Sequence, residues 1–303
     1  MTNFSDNPTN LTLNQNEAVQ AARSWREAGG AQSLAGLDLR GQDLSIIDLA
    51  GADLSGSNFS RADLAGANLA GARLVGANLH GATLADVNFE TANLIEANLG
   101  ETDLREASLI RADLSRANLQ LANLREAMAL GANCTAANFR GADLTGANLK
   151  GIDFSRANFA GAILADTRLA GSIFKDAKNL SGGNLKKTIL SRAIMTGLNL
   201  AGAYLAEAVL MEATLTEINL AGAFLAKANL TRADLSRANV PGAMLAGATL
   251  RSANLSGTNL RGAVLTGANL LEADLTGTDL SGADLTGAIM PDGDKYDSIQ
   301  ISG

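Results

Sequence analysis

One five-residue phrase governs this chain. It is cleanest at Ala62-Asp63-Leu64-Ala65-Gly66 and Ala67-Asn68-Leu69-Ala70-Gly71. A small residue is followed by Asp or Asn, then Leu or Phe, then two small or polar residues. A period of five suits neither a helix, which repeats its apolar positions at 3.6, nor a strand, which repeats at 2. Self-similarity at a fixed short period instead signals a solenoid. The Leu/Phe position can be called the centre. Centres run from Leu39 to Phe174 in steps of five, then from Leu180 to Met290. Apart from Ala129 and Cys134, every one is Leu, Phe, Met or Val. Two residues earlier the usual residue is Ala, so each repeat sends one large and one small apolar side chain into a narrow interior. The remaining positions face water, and each repeat is one side of a coil with a turn at its corner.

A step of 20 supports four sides per coil. Asn58, Asn78, Asn98, Asn118, Asn138 and Asn158 form an unbroken row before the centres. One inserted residue moves the row to Asn179, after which it continues through Asn199, Asn219, Asn239 and Asn259. Amides one strand spacing apart can hydrogen-bond up a column, so the row reads as corner support rather than as a binding ladder.

The motif resembles that of the pentapeptide repeat family, A-(D/N)-L-x-x. Ala142-Asp143-Leu144-Thr145-Gly146 and Ala283-Asp284-Leu285-Thr286-Gly287 match it residue for residue. The resemblance implies an all-β solenoid, a right-handed quadrilateral β-helix. Roughly 13 coils at ~4.8 Å each would give a rod of about 60 Å. The ending Gly287 to Gly293 is similar to that of cyanobacterial members.

Around the array, residues 1–15 read as a disordered start. Residues 16–30 read as a short N-terminal capping helix with Asn16 as N-cap, Val19, Ala22 and Trp25 on one face, and Gly29-Gly30 as the stop. Such a helix covers the open edge that a β-helix end presents; a partner-binding helix is the second reading. Residues 31–290 are the repeat array, with an irregular first coil. A bulge or small loop is expected at about 175–184, where Lys175, Lys178, Lys186 and Lys187 form a basic spot. That spot is either a solvated bulge or a docking site for an acidic partner. Residues 291–303 form a C-terminal tail opened by the Pro291-Asp292-Gly293 turn, from which Tyr296, Ile299 and Ile301 can fold over the last coil.

The net charge of −7 argues against nonspecific binding to nucleic acid or to an anionic membrane, both of which need a basic surface. No stretch reaches the ~18 apolar residues of a membrane span. The polar start lacks a secretory signal's build, so a cytoplasmic location is expected. A single cysteine, Cys134, sits at a centre and reads as a core thiol. A single histidine, His80, excludes His-based triads and His-rich metal sites. No phosphate-cradling glycine motif is present. No catalytic, cofactor or metal site is expected, and the protein reads as non-enzymatic.

Function must then lie on the outer faces. One face carries Asp43, Asp63, Asp103 and Asp143 before its centres, with Asp86, Glu106, Glu126 and Asp166 at the corner after them. Past the insertion the same row becomes Tyr204, Phe224, Met244 and Val264, a candidate contact site for another protein chain. Ile189, Ile194, Val209 and Met211 widen it. The partner is either a second copy pairing stripe with stripe or a separate protein. The first functional reading is a protein-interaction scaffold. The alternative, implied by the resemblance, is a DNA mimic acting on gyrase or another topoisomerase. Its acidic face would carry about one carboxylate per ~4 Å, against one charge per ~1.7 Å in a duplex. Inside the rod, the successive small centres Ala129 and Cys134 are expected to leave space that Met128 swings in to fill.

Overall fold

Two of every five residues form a turn, which leaves three to run along each side. Pairing therefore reduces to one bridged residue per side, rather than the extended strands that an all-β reading suggests. A computed structural model describes residues 13–296; the start up to residue 12, and with it most of the expected disordered segment, lies outside the described residues, as do Ile299 and Ile301. The residue before each centre is bridged in parallel to the residue 20 positions on, as in Asp43↔Asp63 and Asn58↔Asn78. A repeat of five and a step of 20 give four sides per coil. Side A carries the column from Asp43 to Asp284, side B from Asp48 to Ile289 and side C from Asp53 to Asp274; side D runs from Asp38 to Lys178 and again from Asn199 to Asp279.

Three kinds of backbone bond join neighbouring coils on a side, two donated forward and one donated back. Leu64 N donates to Thr83 O at 2.8 Å, Gly66 N to Ala85 O at 2.8 Å, and Thr83 N to Ala62 O at 3.0 Å. Within the corner, Ala67 N closes a turn on Leu64 O at 3.0 Å. The third residue of that turn has positive φ, which is 64° at Gly66. This is the region that favours Gly and penalises branched side chains. The Asp or Asn before the centre then locks the corner: its Oδ1 accepts the amide two residues on, at 3.0 Å from Ala65 N to Asp63. That reach is available only to a short polar side chain, which is why the motif holds Asp or Asn there.

Centres point inward. Leu54, Phe59, Leu64 and Leu69 are fully buried, and so are the Ala residues two positions earlier, such as Ala52 and Ala67. Each buried Leu or Phe contributes about 1.5–3 kcal/mol. Where Ser or Thr replaces the small Ala, its hydroxyl finds a carbonyl: Ser57 Oγ donates to Leu34 O at 2.9 Å and Ser172 Oγ to Leu149 O at 2.9 Å. A void of about 10 Å³ runs between Leu220 and Leu260, too narrow to hold an ordered water.

The helix α1 spans Gln15–Ser24, with Asn14 as its N-cap and Glu17 completing a capping box. Its cap thus lies two residues before the expected Asn16, and it ends five residues before the expected Gly29-Gly30 stop. Asn14 wins because its side chain accepts Glu17 N at 3.1 Å while Glu17 reaches back to Asn14 N at 2.9 Å, satisfying two free donors reciprocally. Ala18, Val19, Ala22 and Trp25 join the same buried cluster as Leu34 and Leu39. Side chains of α1 also serve the first coil's edge. Gln15 Nε2 donates to Arg40 O at 2.6 Å and Arg23 Nη2 to Asp43 O at 3.0 Å. In later coils away from the insertion these carbonyls bond to the amides of the coil before, as Gly41 N to Ser60 O and Leu44 N to Asp63 O. The helix therefore fills acceptors that the missing coil would leave empty.

The insertion is one residue. Lys178 pairs with Asn158, and the next side resumes as Ile163↔Asn184, a step of 21. Asn179 takes φ 62°, a conformation Asn tolerates, and its Nδ2 still donates to Asn158 Oδ1 at 2.8 Å. The four lysines are exposed. At the other end the chain turns back: Lys295 bridges Ile289 in antiparallel sense, Tyr296 N donates to Ala288 O at 2.7 Å, and Tyr296 packs partly buried on the core.

The space beside Ala129 and Cys134 is not filled by Met128, which is 44% exposed. Its position before a centre aims it outward. Phe139 instead occupies the side opposite Ala129 in the same coil. It stacks on Phe159 at 5.3 Å and meets Phe154, above Cys134, edge-on at 5.5 Å. Small and large centres compensate across this coil, so Ala129→Leu is expected to overpack it, at a cost of about 1–3 kcal/mol. Thermal unfolding checks this: Ala129→Leu lowers Tm and Phe139→Leu in the same chain restores most of the loss.

Ile46 stands at a corner position with φ 55° and is 83% exposed. A β-branched residue is strained there. Ile46→Gly is expected to stabilise by about 1 kcal/mol, read as a higher Tm. A lower Tm would show that the exposed side chain contributes to the fold.

Candidate functional site

The bridges of side A join the two halves of the predicted face into one column. It runs Asp43, Asp63, Thr83, Asp103, Asn123, Asp143, Ile163, Asn184, Tyr204, Phe224, Met244, Val264 and Asp284. The corner carboxylates Asp86, Glu106, Glu126 and Asp166 lie along the edge that follows, each at positive φ and exposed.

In the acidic half the carboxylates are partly neutralised. Arg105 Nη2 lies 2.6 Å from Asp103 Oδ2 and Arg125 Nη1 lies 3.3 Å from Asp143 Oδ2. The Arg105 guanidinium holds the Asp103 carboxyl below its ordinary range. Burial raises the Asp143 carboxyl, but bonds from Thr145, its own turn amide and Arg125 bring it down overall. At Asp43 the Ser45 hydroxyl and the turn amide do the same, with a smaller contribution from the charge of Arg23.

In the apolar half the rings of Tyr204 and Phe224 stack at 4.7 Å with 6° between planes. Tyr204 is 52% exposed and Met244 42%; Phe224 and Val264 are half-buried. The flanks, which sequence reading passed over, continue this surface. Ala201, Ala221 and Pro241 lie before it, and Ala206, Ala226 and Ala246 after it, all half-buried. The preceding corner carries Gly202, Gly222, Gly242 and Gly262 in succession, so no side chain rises from that row, and of the residues just before them only Arg261, beside Val264, is large and exposed. The signal was in the sequence, as a step-20 row of glycines. Ile189 and Val209 are half-buried neighbours on side B, while Ile194 and Met211 are exposed on side C and its preceding corner. They face away from side A and do not form one surface with the stripe. Exposed Ile46 and Leu121 occupy corners where Gly is common; a large apolar residue at the fifth position was the available clue.

In the side D row Asn78 Nδ2 donates to Asn58 Oδ1 at 3.2 Å, and Asn98, Asn118 and Asn138 repeat the bond at 2.9–3.1 Å. Cys134 is buried, and desolvation pushes its thiol far above the usual range, with Asp113 and Asp153 adding to the shift; such a thiol is inert. Among the described residues no group of three or more His, Cys, Asp or Glu is placed to hold a metal ion. No helix among them is long and apolar enough to cross a membrane.

A family model for pentapeptide repeats (8 copies) matches in overlapping segments between residues 33 and 290, well over half of the chain. The chain belongs to the pentapeptide repeat family. Membership implies the right-handed sense of the β-helix. Among solved structures, HetL, a pentapeptide repeat protein involved in heterocyst differentiation regulation from the cyanobacterium Nostoc sp. strain PCC 7120, is 30% identical, with 94% of this chain and 100% of that one covered and a TM-score of 0.34. A pentapeptide repeat protein of the Arabidopsis thaliana thylakoid lumen is 31% identical over 39% of this chain and 70% of that one, at 0.29. QnrB1, a plasmid-mediated fluoroquinolone resistance protein, is 21% identical over 61% and 88%, at 0.30. No curated protein matches the chain by sequence.

The locked corners have a pH consequence. Serine or threonine hydroxyls and turn amides hold Asp43, Asp274, Asp279 and Asp284 below their ordinary pKa. A carboxylate depressed by folding stabilises above its unfolded value, near 3.9, and that stability is lost as pH falls through the folded value. Tm is expected to fall below about pH 4, and replacing these four by Asn, which keeps the turn acceptor, is expected to flatten the fall. An unchanged acid profile would count against this account.

Proposed function

We propose that this pentapeptide repeat protein is a non-enzymatic, cytoplasmic interaction scaffold, a rigid rod that presents side A to another protein chain. The observation that carries the reading is the change along one column from carboxylates to the stacked, half-exposed pair Tyr204 and Phe224 with Met244 and Val264 beyond. A structural role alone would be met by Asp or Asn, which lock the corner through Oδ1. Tyr, Phe, Met and Val give up that bond four coils in succession. Contiguous exposed apolar surface on this scale marks interaction sites, and repeat proteins bind through extended faces of this kind.

The duplex-mimic reading is weaker. The spacing of carboxylates on side A is more than twice that of duplex phosphates, and Arg105 and Arg125 neutralise two of them. A supercoiling assay separates the two: no inhibition or protection of gyrase at stoichiometric excess removes mimicry.

Tyr204→Asp with Phe224→Asp is expected to leave the repeat fold intact by circular dichroism and to reduce capture of interacting protein from the source cell at least about tenfold, the effect of ~1.4 kcal/mol. Unchanged capture and unchanged self-association would make the stripe purely structural.

A further inference from the structure

We infer that the occupant of the apolar half of side A is a second copy of this chain, packed face to face with the two rods antiparallel and the two-fold axis passing between Phe224 and Met244. The inference rests on the interaction reading above and names its partner.

The register follows from the column. About that axis Phe224 of one copy faces Met244 of the other, and Tyr204 faces Val264, so large meets small and a thioether meets a ring. One level further out, Asn184 with the exposed Lys186 and Lys187 at its corner faces Asp284, also exposed. The one carboxylate on this half of the column is thereby set against the basic spot. The corner after side A is complementary as well. Lys187, Glu207 and Lys227, all at positive φ, face Gly287, Gly267 and Gly247. Each charged corner thus meets one without a side chain. At the opposite corner Arg261 faces Ala201 and Gly202.

Other arrangements fail on charge. Parallel rods would lay Asp43, Asp63, Asp103 and Asp143 against themselves. Antiparallel rods in full overlap would bury Asp63 under Val264 and Asp103 under Phe224 and set Asp43 against Asp284, which is costly without partners. In the chosen register the acidic half projects beyond the last repeat of the second copy and stays in water.

The overlap covers about six coil levels, roughly 29 Å at ~4.8 Å each, by a side about 10 Å wide at ~3.3 Å per residue. The ~600 Å² of the two faces together is below the ~1,200 Å² of a stable interface. The dimer is therefore reversible and concentration-dependent.

Sedimentation of the full chain from low micromolar to about millimolar concentration tests this, since weak complexes dissociate in that range. A monomer–dimer equilibrium is expected. Phe224→Asp should weaken it at least about tenfold. Gly247→Lys is the probe that adds no clash: an added Cβ at Gly247 meets only Lys227 Cγ at 3.7 Å, and the positive-φ strain it brings is one that the same corner row already bears at Lys227. It sets lysine against the second copy's Lys227 and should also weaken the dimer. Asp284→Lys should weaken it, and Lys186→Glu with Lys187→Glu in the same chain should restore it. Phe224→Cys should be joined to its mate by a short bis-maleimide, Cys134 being buried, while Asn58→Cys on side D should not. A chain that stays monomeric throughout overturns the second copy, and the interaction reading still stands if Tyr204→Asp with Phe224→Asp abolishes capture of a different protein. A dimer indifferent to Gly247→Lys and Phe224→Asp overturns the proposed face.

Discussion

Backbone pairing between coils, at a step of 20 residues, is the constraint on which everything else depends. Leu64 N reaches Thr83 O at 2.8 Å, and the same bond recurs at nearly every centre. It fixes the rise per coil near the strand spacing of ~4.8 Å. At that spacing a column of side chains must stack on itself. Leu stacks on Leu inside, Asn on Asn along side D, and Tyr204 on Phe224 outside. Each column is then a one-dimensional surface whose chemistry is set by every twentieth residue.

A repeating ladder also creates a problem at its ends. A coil with no neighbour leaves carbonyls or amides unpaired, and an open edge invites association. The start solves this with α1, whose Gln15 and Arg23 side chains bond the carbonyls of Arg40 and Asp43 while Trp25 seals the core. The other end is closed less fully. Leu275, Leu280 and Met290 are only partly buried, although the turn back to Lys295 and Tyr296 covers part of that coil. The inserted residue shows how tightly the ladder is held. Asn179 leaves the pairing at the backbone yet keeps its amide bond to Asn158, and the side D bridges restart one coil later at Asn199.

Surface chemistry and stability draw on the same position. The residue before each centre can lock its corner by accepting the turn amide, or it can present another side chain to solvent. Asp43 and Asp143 do the first, Tyr204 and Phe224 the second. Four successive departures on one column, beside a corner of four successive glycines, concentrate the surface information of the rod in one half of one side.

The sequence by itself determined the coil. A period of five, a step of 20 and a one-residue shift after Phe174 are arithmetic, and they assign Leu64 inward, Asp63 outward and Gly66 to a corner before any coordinate is known. They also assemble Asp43 through Asp143 and Tyr204 through Val264 into one column, because stacking preserves register. Tertiary structure decided what arithmetic cannot reach. Asn14 rather than Asn16 caps α1, since the reciprocal bond with Glu17 depends on backbone geometry. Met128 stays outside while Phe139, on the far side of the coil, balances Ala129, because filling depends on what lies across the interior and not along the chain. Arg105 and Arg125 turn onto Asp103 and Asp143, and Ile194 and Met211 face away from Tyr204, because side-chain direction around a corner is set in three dimensions and not by the repeat.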